Sequence, residues 1–524
     1  MTTFSLSTKF IDAPFSIKRL AIIVLILVSQ APALMAAGDI YQVNSDDFRS
    51  LLKQGDKLVR CGEFYEAEKF FKRATEINPT HSGAKLKLAF VHVKQRRLRE
   101  AYDLSLSVAK AEPKNSNAFA VLGATLLSAG RFREARTVFV NALRLNRREA
   151  LAWAGYGMLD FYENRIVASL GNLAEAVYHD SDEPDYFFSL AQVSARAERY
   201  REAADAYRRF LDLSRNTDDE RRQRIKGLIN FLRFLGHKQS LYVTASEAET
   251  SVPIQVIGNR PVIEVKVNGR DEPLRFVLDT GSGMTVISDE TAKRLNIEPV
   301  TRGGFAKGIG GDGRFEIVYG FLKEVEIGDV EVRSVPVYIR RFHSDGNTDI
   351  DGYIGLSLIS KFLTTIDYGA LTFSLTKKDI DPADGGVSVP LRLTSSGFLS
   401  GEVQLQGIEE PLNFIVDTGA SVSVISDDVA SMESVSPFAR TEKMRVIGSA
   451  GVKHNVPSFL LPRVSFGSHS RKSITAIALD LAMINEASGF EQAGILGGNF
   501  LRNYRMTFDF KNSKVTFVSI NQEQ

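Results

Sequence analysis

One short stretch of the sequence occurs twice, and this duplication constrains the fold more than any other feature. The copies are residues 275–288 and 413–426. In each, an apolar run leads into Asp-Thr-Gly, beginning at Asp279 and Asp417, and a second apolar run follows. Short apolar runs bounded by turn residues are typical of buried strands. Each copy is therefore predicted to place a carboxylate on a tight turn above an apolar floor.

The duplication extends on both sides of these stretches. Before the first copy, Val262–Val267 turns at Asn-Gly and returns through Leu274–Leu278. Before the second, Glu402–Leu405 turns at Gln-Gly and returns through Leu412–Val416, at a constant offset of 138 residues. Asn-Gly between alternating runs strongly predicts a hairpin.

The same correspondence continues towards the end of each copy. Gly352–Gly355 pairs with Gly494–Gly497, now at an offset of 142. A helix-like segment and a final strand follow each, at Thr364–Tyr368 and Met506–Phe510. Two β-rich units are therefore predicted, over residues 250–379 and 385–519.

A different repeat, with a period of 34 residues, occupies the region before these units. Small residues recur at two positions of the period and large apolar residues recur beside them, which is typical of packed helical hairpins. The small positions are Gly55, Ala89, Gly123, Gly157 and Ala191, and Ala67, Ala101, Ala135, Ser169 and Ala203. The large positions are Phe71, Phe139, Leu173 and Tyr207, and Phe119, Trp153 and Phe187.

This pattern resembles the tetratricopeptide repeat, in five copies from about residue 48 to 217 of a domain spanning residues 45–236. A capping helix with a polar outer face is expected around Asp218–Leu235. The resemblance implies an all-α solenoid whose concave surface binds a peptide or a protein partner. The alternative is a spacer without a specific ligand.

The two β-rich units resemble the aspartic peptidases, specifically the retropepsin-like units. The resemblance rests on Asp-Thr-Gly-Ser/Ala after an apolar strand and on the later apolar-apolar-Gly element. It implies an all-β bilobal fold of two retropepsin-like β-barrel units, each giving one aspartate to the floor of a cleft. Pairing of the units within one chain is the simpler expectation, and pairing with a second chain is the alternative.

The chemistry of such a site follows from its residue types. Two carboxylates a few ångströms apart cannot both ionise, so the pair holds one proton. The ionised partner activates a water, and the protonated partner polarises the scissile carbonyl. Asp279 and Asp417 are the predicted catalytic residues.

The neighbouring loop residues are predicted to support the pair. Gly281 and Gly419 allow the tight turns. By family resemblance, Thr280 and Thr418 hydrogen-bond across the axis between the units.

The residues that follow the two glycines differ between the copies. Ser282 is expected to hydrogen-bond the carboxylate of Asp279, whereas Ala420 has no side-chain hydroxyl to offer Asp417. This asymmetry predicts unequal roles for the two aspartates without deciding which one is protonated.

Aspartic peptidases close a β-hairpin over the substrate. Glycine-rich segments stand where such flaps are expected, at Ile309, Gly310 and Gly311 in the first unit and at Ile447 and Gly448 in the second. The alternative is a plain glycine-rich turn.

Composition narrows the class of function further. A net charge of +2 without a long Lys/Arg run gives no reason to expect nucleic-acid binding. The single cysteine, Cys61, excludes an internal disulfide and is expected to be a buried helix residue. The seven histidines are scattered, so neither a metal nor a cofactor is predicted.

The N-terminus has the layout of an export signal. Lys18 and Arg19 precede an apolar run over residues 20–28, and small residues follow over 31–37. This predicts a signal peptide or an uncleaved membrane anchor within residues 1–37. A buried helix is the alternative. Export into a bacterial periplasm or envelope is the expected localisation.

Taken together, the patterns predict an exported aspartic endopeptidase whose repeat array binds a substrate or a protein partner. The alternative is a non-catalytic peptide-binding scaffold built on the same fold. Asp367 and Asp509 also recur in both units, but they lie outside any Asp-Thr-Gly loop and are interpreted as structural.

Overall fold

The structure is a computed structural model that describes residues 47–215, 218–238, 240–245, 248–309, 313–343, 350–377 and 386–520. The predicted signal or anchor within residues 1–37 lies outside these ranges. Among the described residues, no helix combines the length and the apolar character needed to cross a membrane.

The N-terminal half consists of consecutive antiparallel helices. Its helices are α1 Phe48–Cys61, α2 Phe64–Ile77, α3 Ser82–Lys94, α4 Leu98–Ala111, α5 Ser116–Ser128, α6 Phe132–Leu145, α7 Ala150–Tyr162, α8 Ile166–His179, α9 Pro184–Arg196, α10 Tyr200–Leu213 and α11 Asp219–Gly236. The first ten form five hairpins, as the 34-residue period predicts. Cys61 ends α1 and is half-buried, so the expectation of a buried cysteine is wrong.

The small and large positions of the period meet inside the hairpins. A side chain at Gly55 would collide with the ring of Phe71 at 2.3 Å, and one at Gly123 would collide with Phe139 at 2.6 Å. Ala67 and Ala135 are fully buried. Glycine and alanine therefore let the helices approach closely around a large apolar side chain.

The C-terminal half is built mainly from strands. They are β1 Glu249–Pro253, β2 Gln255–Ile257, β3 Arg260–Val267, β4 Leu274–Leu278, β5 Thr285–Ser288, β6 Thr301–Lys307, β7 Arg314–Ile327, β8 Val330–Arg340, β9 Gly352–Ile354, β10 Leu363–Asp367, β11 Thr372–Thr376, β12 Val387–Pro390, β13 Arg392–Leu393, β14 Leu399–Leu405, β15 Leu412–Val416, β16 Ser423–Ser426, β17 Ala439–Gly448, β18 Gly451–Phe466, β19 His469–Leu479, β20 Gly494–Leu496, β21 Tyr504–Asp509 and β22 Lys514–Ser519. Short helices intervene: α12 Asp289–Arg294, α13 Leu356–Ile359, α14 Asp427–Ser431, the 3₁₀ helix Ser436–Phe438, α15 Ala482–Ser488 and α16 Gly498–Leu501.

Two eight-stranded sheets have the same internal order. The first unit, residues 248–377, contains the order β2-β3-β4-β9-β5-β8-β7-β6, and the second unit, residues 386–520, contains β13-β14-β15-β20-β16-β19-β18-β17. Extra β3–β7 and β14–β18 pairings fold each sheet back on itself. The duplicated sequence therefore gives a duplicated fold, all-β and bilobal, as predicted.

A third sheet of six strands joins the two units, in the order β1-β11-β10-β21-β22-β12. At its centre, β10 pairs antiparallel with β21, and the hydroxyls of Thr365 and Thr507 lie 3.0 Å apart. The two units therefore pair within one chain. The strands predicted to be final, β10 and β21, are each followed by one more strand of the same unit: β11 pairs with β10 and β1, and β22 pairs with β21 and β12.

Helix α11 follows the repeats as predicted, and one of its faces packs on the first β-rich unit. A side chain at Gly227 would lie 2.4 Å from the Cα of Gly303 in β6. The Phe231 ring stacks on Tyr319 of β7 at 4.4 Å. The predicted polar outer face is present, since Gln223, Lys226, Asn230 and Arg233 are exposed, but the first β-rich unit covers a second face that was not predicted to be buried.

The second unit is anchored in the repeats by an aromatic side chain. Phe490 is fully buried and packs edge-on against Phe132 at 4.8 Å and Tyr162 at 5.0 Å. The N–H of Glu491 donates to the carbonyl of Ser128. The repeat domain therefore contacts both β-rich units.

Candidate active site

Each predicted catalytic aspartate lies immediately after a buried strand. Asp279 follows β4 and its N–H donates to the Ile354 carbonyl at 3.0 Å, while Asp417 follows β15 and donates to Leu496 at 3.0 Å. The side chains of Ile354 and Leu496 are fully buried. The apolar-apolar-Gly elements thus form the floor beneath the two turns.

Two buried threonines lock the turns together. The N–H of Thr280 donates to Oγ1 of Thr418 and the N–H of Thr418 donates to Oγ1 of Thr280, each at 3.1 Å. Each hydroxyl donates in turn to a carbonyl of the other unit, at Val416 and Leu278, over 2.7 Å. Because both threonines are fully buried, these bonds fix the two loops relative to each other.

The two glycines face the opposite carboxylates. A side chain at Gly281 would lie 2.3 Å from Cγ of Asp417, and one at Gly419 would lie 2.5 Å from Oδ1 of Asp279. Only glycine leaves room for this reciprocal approach. The arrangement brings the two carboxyls together, so that their side chains share a hydrogen bond.

The surroundings of the carboxyls are unequal. Oδ1 of Asp417 accepts from the N–H groups of Gly419 (2.7 Å) and Ala420 (3.1 Å), whereas Asp279 accepts from Gly281 alone (2.9 Å). Burial raises the pKa of Asp279 well above its usual value, and the neighbouring Asp417 carboxylate raises it further.

Burial also raises the pKa of Asp417, while the hydrogen bonds from Asp279 and from the loop N–H groups lower it. Backbone donors stabilise the ionised form of a carboxyl. The geometry therefore favours a proton on Asp279 and a charge on Asp417.

Ser282 does not contribute to this asymmetry in the predicted way. Its hydroxyl donates to the carbonyl of Met284 at 2.8 Å. The expectation that it hydrogen-bonds Asp279 is wrong, because the turn directs the hydroxyl at its own backbone. The difference between the units comes from backbone donors, which composition does not reveal.

Two hairpins meet above the aspartates. The first flap is the β6–β7 hairpin and the second flap is the β17–β18 hairpin. The N–H of Ile309 donates to Oγ of Ser449 at 3.2 Å, and the N–H of Ala450 donates to the Ile309 carbonyl at 2.9 Å. Gly448 packs against the same carbonyl. Ile447 lies near the end of β17, and its side chain is exposed. The predicted flap residues Gly310 and Gly311 lie outside the described residues.

The cavity between the aspartates and the flaps extends to the repeat helices and has a volume of about 1480 Å³. Phe161, Arg196, Tyr200 and Leu232 line it together with Asp279 and Asp417. The sequence did not predict that repeat residues belong to this cavity.

Arg340 is a second cavity residue that sequence reasoning missed. It stacks on Phe315 at 4.1 Å and donates to the carbonyl of Ser449 at 2.6 Å. The position of Arg340, at the end of β8 where the strand reaches the first flap, was the available signal.

The recurring residues Asp367 and Asp509 hold turns. Oδ1 of Asp367 accepts from the N–H groups of Gly369 and Ala370, each at 2.9 Å. Oδ1 of Asp509 accepts from the N–H of Asn512 at 3.0 Å. Both lie at strand ends in the six-stranded sheet, away from the paired loops.

Fold and site together define a bilobal aspartic-peptidase architecture joined to a helical repeat array. Residues 263–358 and 401–500 match the family described as Aspartyl protease. Residues 48–81 match the tetratricopeptide repeat. The recognition of both from the sequence is thereby confirmed. A comparison with curated protein sequences found no match.

Solved structures resemble parts of the chain. A thermophilic tetratricopeptide-repeat protein of Thermus thermophilus is 22% identical, covers 35% of this chain and 98% of its own, and gives a TM-score of 0.30. YrrB, described as a tetratricopeptide-repeat protein with an unusual peptide-binding site, is 21% identical over 33% of this chain and 90% of its own, with a TM-score of 0.21. An aspartic proteinase from Irpex lacteus is 14% identical over 52% of this chain and 97% of its own, with a TM-score of 0.36.

Proposed function

We propose that the protein is an aspartic endopeptidase. The observation that carries this proposal is the reciprocal seating of the two aspartates, each against the glycine of the opposite loop. Such seating is required for two carboxyls to share one proton and act on one water. A protein that used the cleft only for binding would not need both carboxyls in this arrangement.

In the proposed mechanism the two aspartates have different roles. Asp417, stabilised as an anion by backbone N–H groups, takes a proton from the attacking water. Asp279 donates its proton to the carbonyl oxygen of the scissile bond, which neutralises charge as the tetrahedral intermediate forms. Asp417 then gives its proton to the leaving nitrogen while Asp279 takes back a proton from a hydroxyl of the intermediate, and the C–N bond breaks without any covalent enzyme intermediate.

The pH dependence follows from these roles. As pH rises through the pKa of Asp279 the proton donor is lost, and as pH falls through the pKa of Asp417 the base is lost. We therefore expect a bell-shaped profile of kcat/KM. Because both pKa values are raised, the active window lies above the ordinary aspartate pKa of about 3.9.

Hydrolysis of a peptide library by the full chain, scanned from about pH 4 to about pH 8, tests the proposal. Asp279→Asn and Asp417→Asn should each lower kcat/KM by about 100- to 10,000-fold. Asp367→Asn, which lies in a turn of the six-stranded sheet, is the matched control and should cleave like wild type. Cleavage by either catalytic-site variant at the wild-type rate contradicts the paired-carboxylate mechanism, and a folded wild-type protein without any cleavage favours the scaffold alternative.

The repeat array is proposed to bind part of the substrate or a protein partner. Support comes from its position, since Phe161 and Tyr200 line the same cavity as the aspartates. Export to a periplasm or envelope is also proposed, and it is supported by the N-terminal sequence pattern alone.

A further inference from the structure

The cavity contains an arginine that the proposed chemistry does not use. Arg196, which is half-buried, is the last residue of α9, and its guanidinium lies over the ring of Phe161 at 5.7 Å. In the described part of the chain, no carboxylate forms an ion pair with it. Burial lowers the pKa of Arg196 to about 10, and no neighbouring acid offsets this effect.

An unpaired cation in such a place is unfavourable unless something supplies the opposite charge. Removing a charge from water without a partner is costly. The nearest acid along the chain, Glu198, forms an ion pair with Lys361. The other acid that lines the described cavity outside the aspartate pair, Glu316, is bound to Arg302 at 2.6 Å. The fold therefore leaves Arg196 available to a ligand.

Arg196 also lies close to the first catalytic loop. A side chain at Gly397 would be 3.1 Å from a terminal nitrogen of Arg196 and 3.3 Å from Cα of Gly283. Gly397 thus separates the guanidinium from the loop that carries Asp279. The turn is held by Thr394, whose N–H donates to the Phe398 carbonyl and whose hydroxyl accepts from the Phe398 N–H.

The two other partly buried arginines of the cavity have polar partners, whereas Arg341 and Arg445 are exposed. Arg340 donates to a flap carbonyl. Arg260 hydrogen-bonds the hydroxyl of Tyr353. In contrast, Arg196 has only the Phe161 ring among the described residues. A guanidinium with free N–H groups matches a carboxylate, which it binds through two parallel hydrogen bonds.

We propose that Arg196 forms an anion subsite beside the catalytic aspartates and that the cleft selects peptides carrying a carboxylate at the position facing the 394–398 turn. The proposal rests on the proposed peptidase function. The carboxylate belongs either to an acidic side chain or to the C-terminus of the peptide. In both cases the repeat domain, and not the peptidase units, supplies the selecting residue.

Two peptide pairs test this subsite and separate the sources. One pair differs by Glu against Gln at each position in turn, and the other by a free against an amidated C-terminus. The full chain should cleave the charged member of one pair about 10- to 100-fold better in kcat/KM. In Arg196→Met this ratio should fall to about one, and Arg196→Lys should restore part of it.

Arg199→Met is the matched control, since Arg199 is exposed and pairs with Glu202 outside the cavity. It should keep the wild-type ratio. Loss of the Glu/Gln ratio in Arg196→Met identifies a side-chain carboxylate, and loss of the free/amidated ratio identifies a C-terminal one. A wild-type ratio of about one for both pairs, or a ratio unchanged in Arg196→Met, overturns the proposal.

Binding measurements test the anion subsite independently of the peptidase proposal. Fluorescence anisotropy of the same labelled peptides with the Asp279→Asn chain, with and without Arg196→Met, requires no cleavage. A charge preference that disappears with Arg196 supports the subsite even if no peptide is hydrolysed. Hydrolysis without any charge preference in rate or binding overturns the subsite and leaves the peptidase proposal standing.

Discussion

The two peptidase units share a strand order but differ in what covers their flaps. The first flap lies under α11, where Gly227 approaches the backbone of Gly303 and Arg224 donates to the carbonyl of Phe305 at 3.1 Å. The second flap has an exposed strand, β17, most of whose residues face solvent. Duplication therefore gives the two units the same strand order. Contact with the repeat domain makes the surfaces of their flaps different.

The same contrast holds in the two Asp-Thr-Gly loops. The threonine interlock and the glycine contacts are nearly symmetric. The backbone donors to Asp279 and Asp417 are not. The two loops are thus held in a nearly symmetric way, while the proton is favoured on one carboxyl. A pair of carboxyls with separate acid and base roles requires this combination.

The largest expected effect tests the symmetric part of this comparison. Gly281→Ala and Gly419→Ala each place a methyl group where the opposite carboxylate lies, so both should displace it by about 1 Å and lower kcat/KM by about 100-fold. Steady-state kinetics on one peptide measures this. If either alanine variant keeps activity near the wild-type value, the reciprocal seating does not position the carboxyls.

A smaller effect tests the difference between the two flaps, of which only the first is covered by α11. Gly227→Ala puts a methyl group 2.4 Å from the Cα of Gly303, so α11 must move away from β6. We expect a loss of stability of roughly 1–3 kcal/mol, measured by urea denaturation. Gly171→Ala is the matched control because the added methyl meets no atom within 4 Å, and it should stabilise α8 by roughly 0.5–1 kcal/mol. Equal shifts in the two variants would show that α11 does not pack tightly on the first flap.

The smallest effect is a difference in amide hydrogen exchange between two strands of the wild-type protein. Amide hydrogen exchange, followed by mass spectrometry, should be faster in β17 than in β6. Both strands lie at sheet edges, but α11 packs on β6, whereas most residues of β17 are exposed. Gly227→Ala should narrow the difference by speeding exchange in β6. Slower exchange in β17 than in β6 would contradict the inferred restraint.

Much of the fold could be predicted because it repeats. The 34-residue period gave five helical hairpins, and the 138-residue offset gave two units with equal strand order. The six-stranded sheet was not predicted, since its central pairing joins Thr365 to Thr507 across the units and has no counterpart within one copy. The packing of α11 on the first β-rich unit was not predicted for the same reason, because its neighbours Tyr319 and Gly303 belong to another domain.

The sequence by itself determined that the chain holds two Asp-Thr-Gly loops and helical repeats before them, because each depends on local patterns that occur more than once. Only the tertiary structure decided that Asp279 is the favoured site of the proton, that Arg196 lines the cavity beside the aspartates and that α11 packs on one flap. These features depend on contacts between residues far apart in the chain. Such contacts depend on how the folded domains pack against each other, and the repeats in the sequence carry no information about that packing.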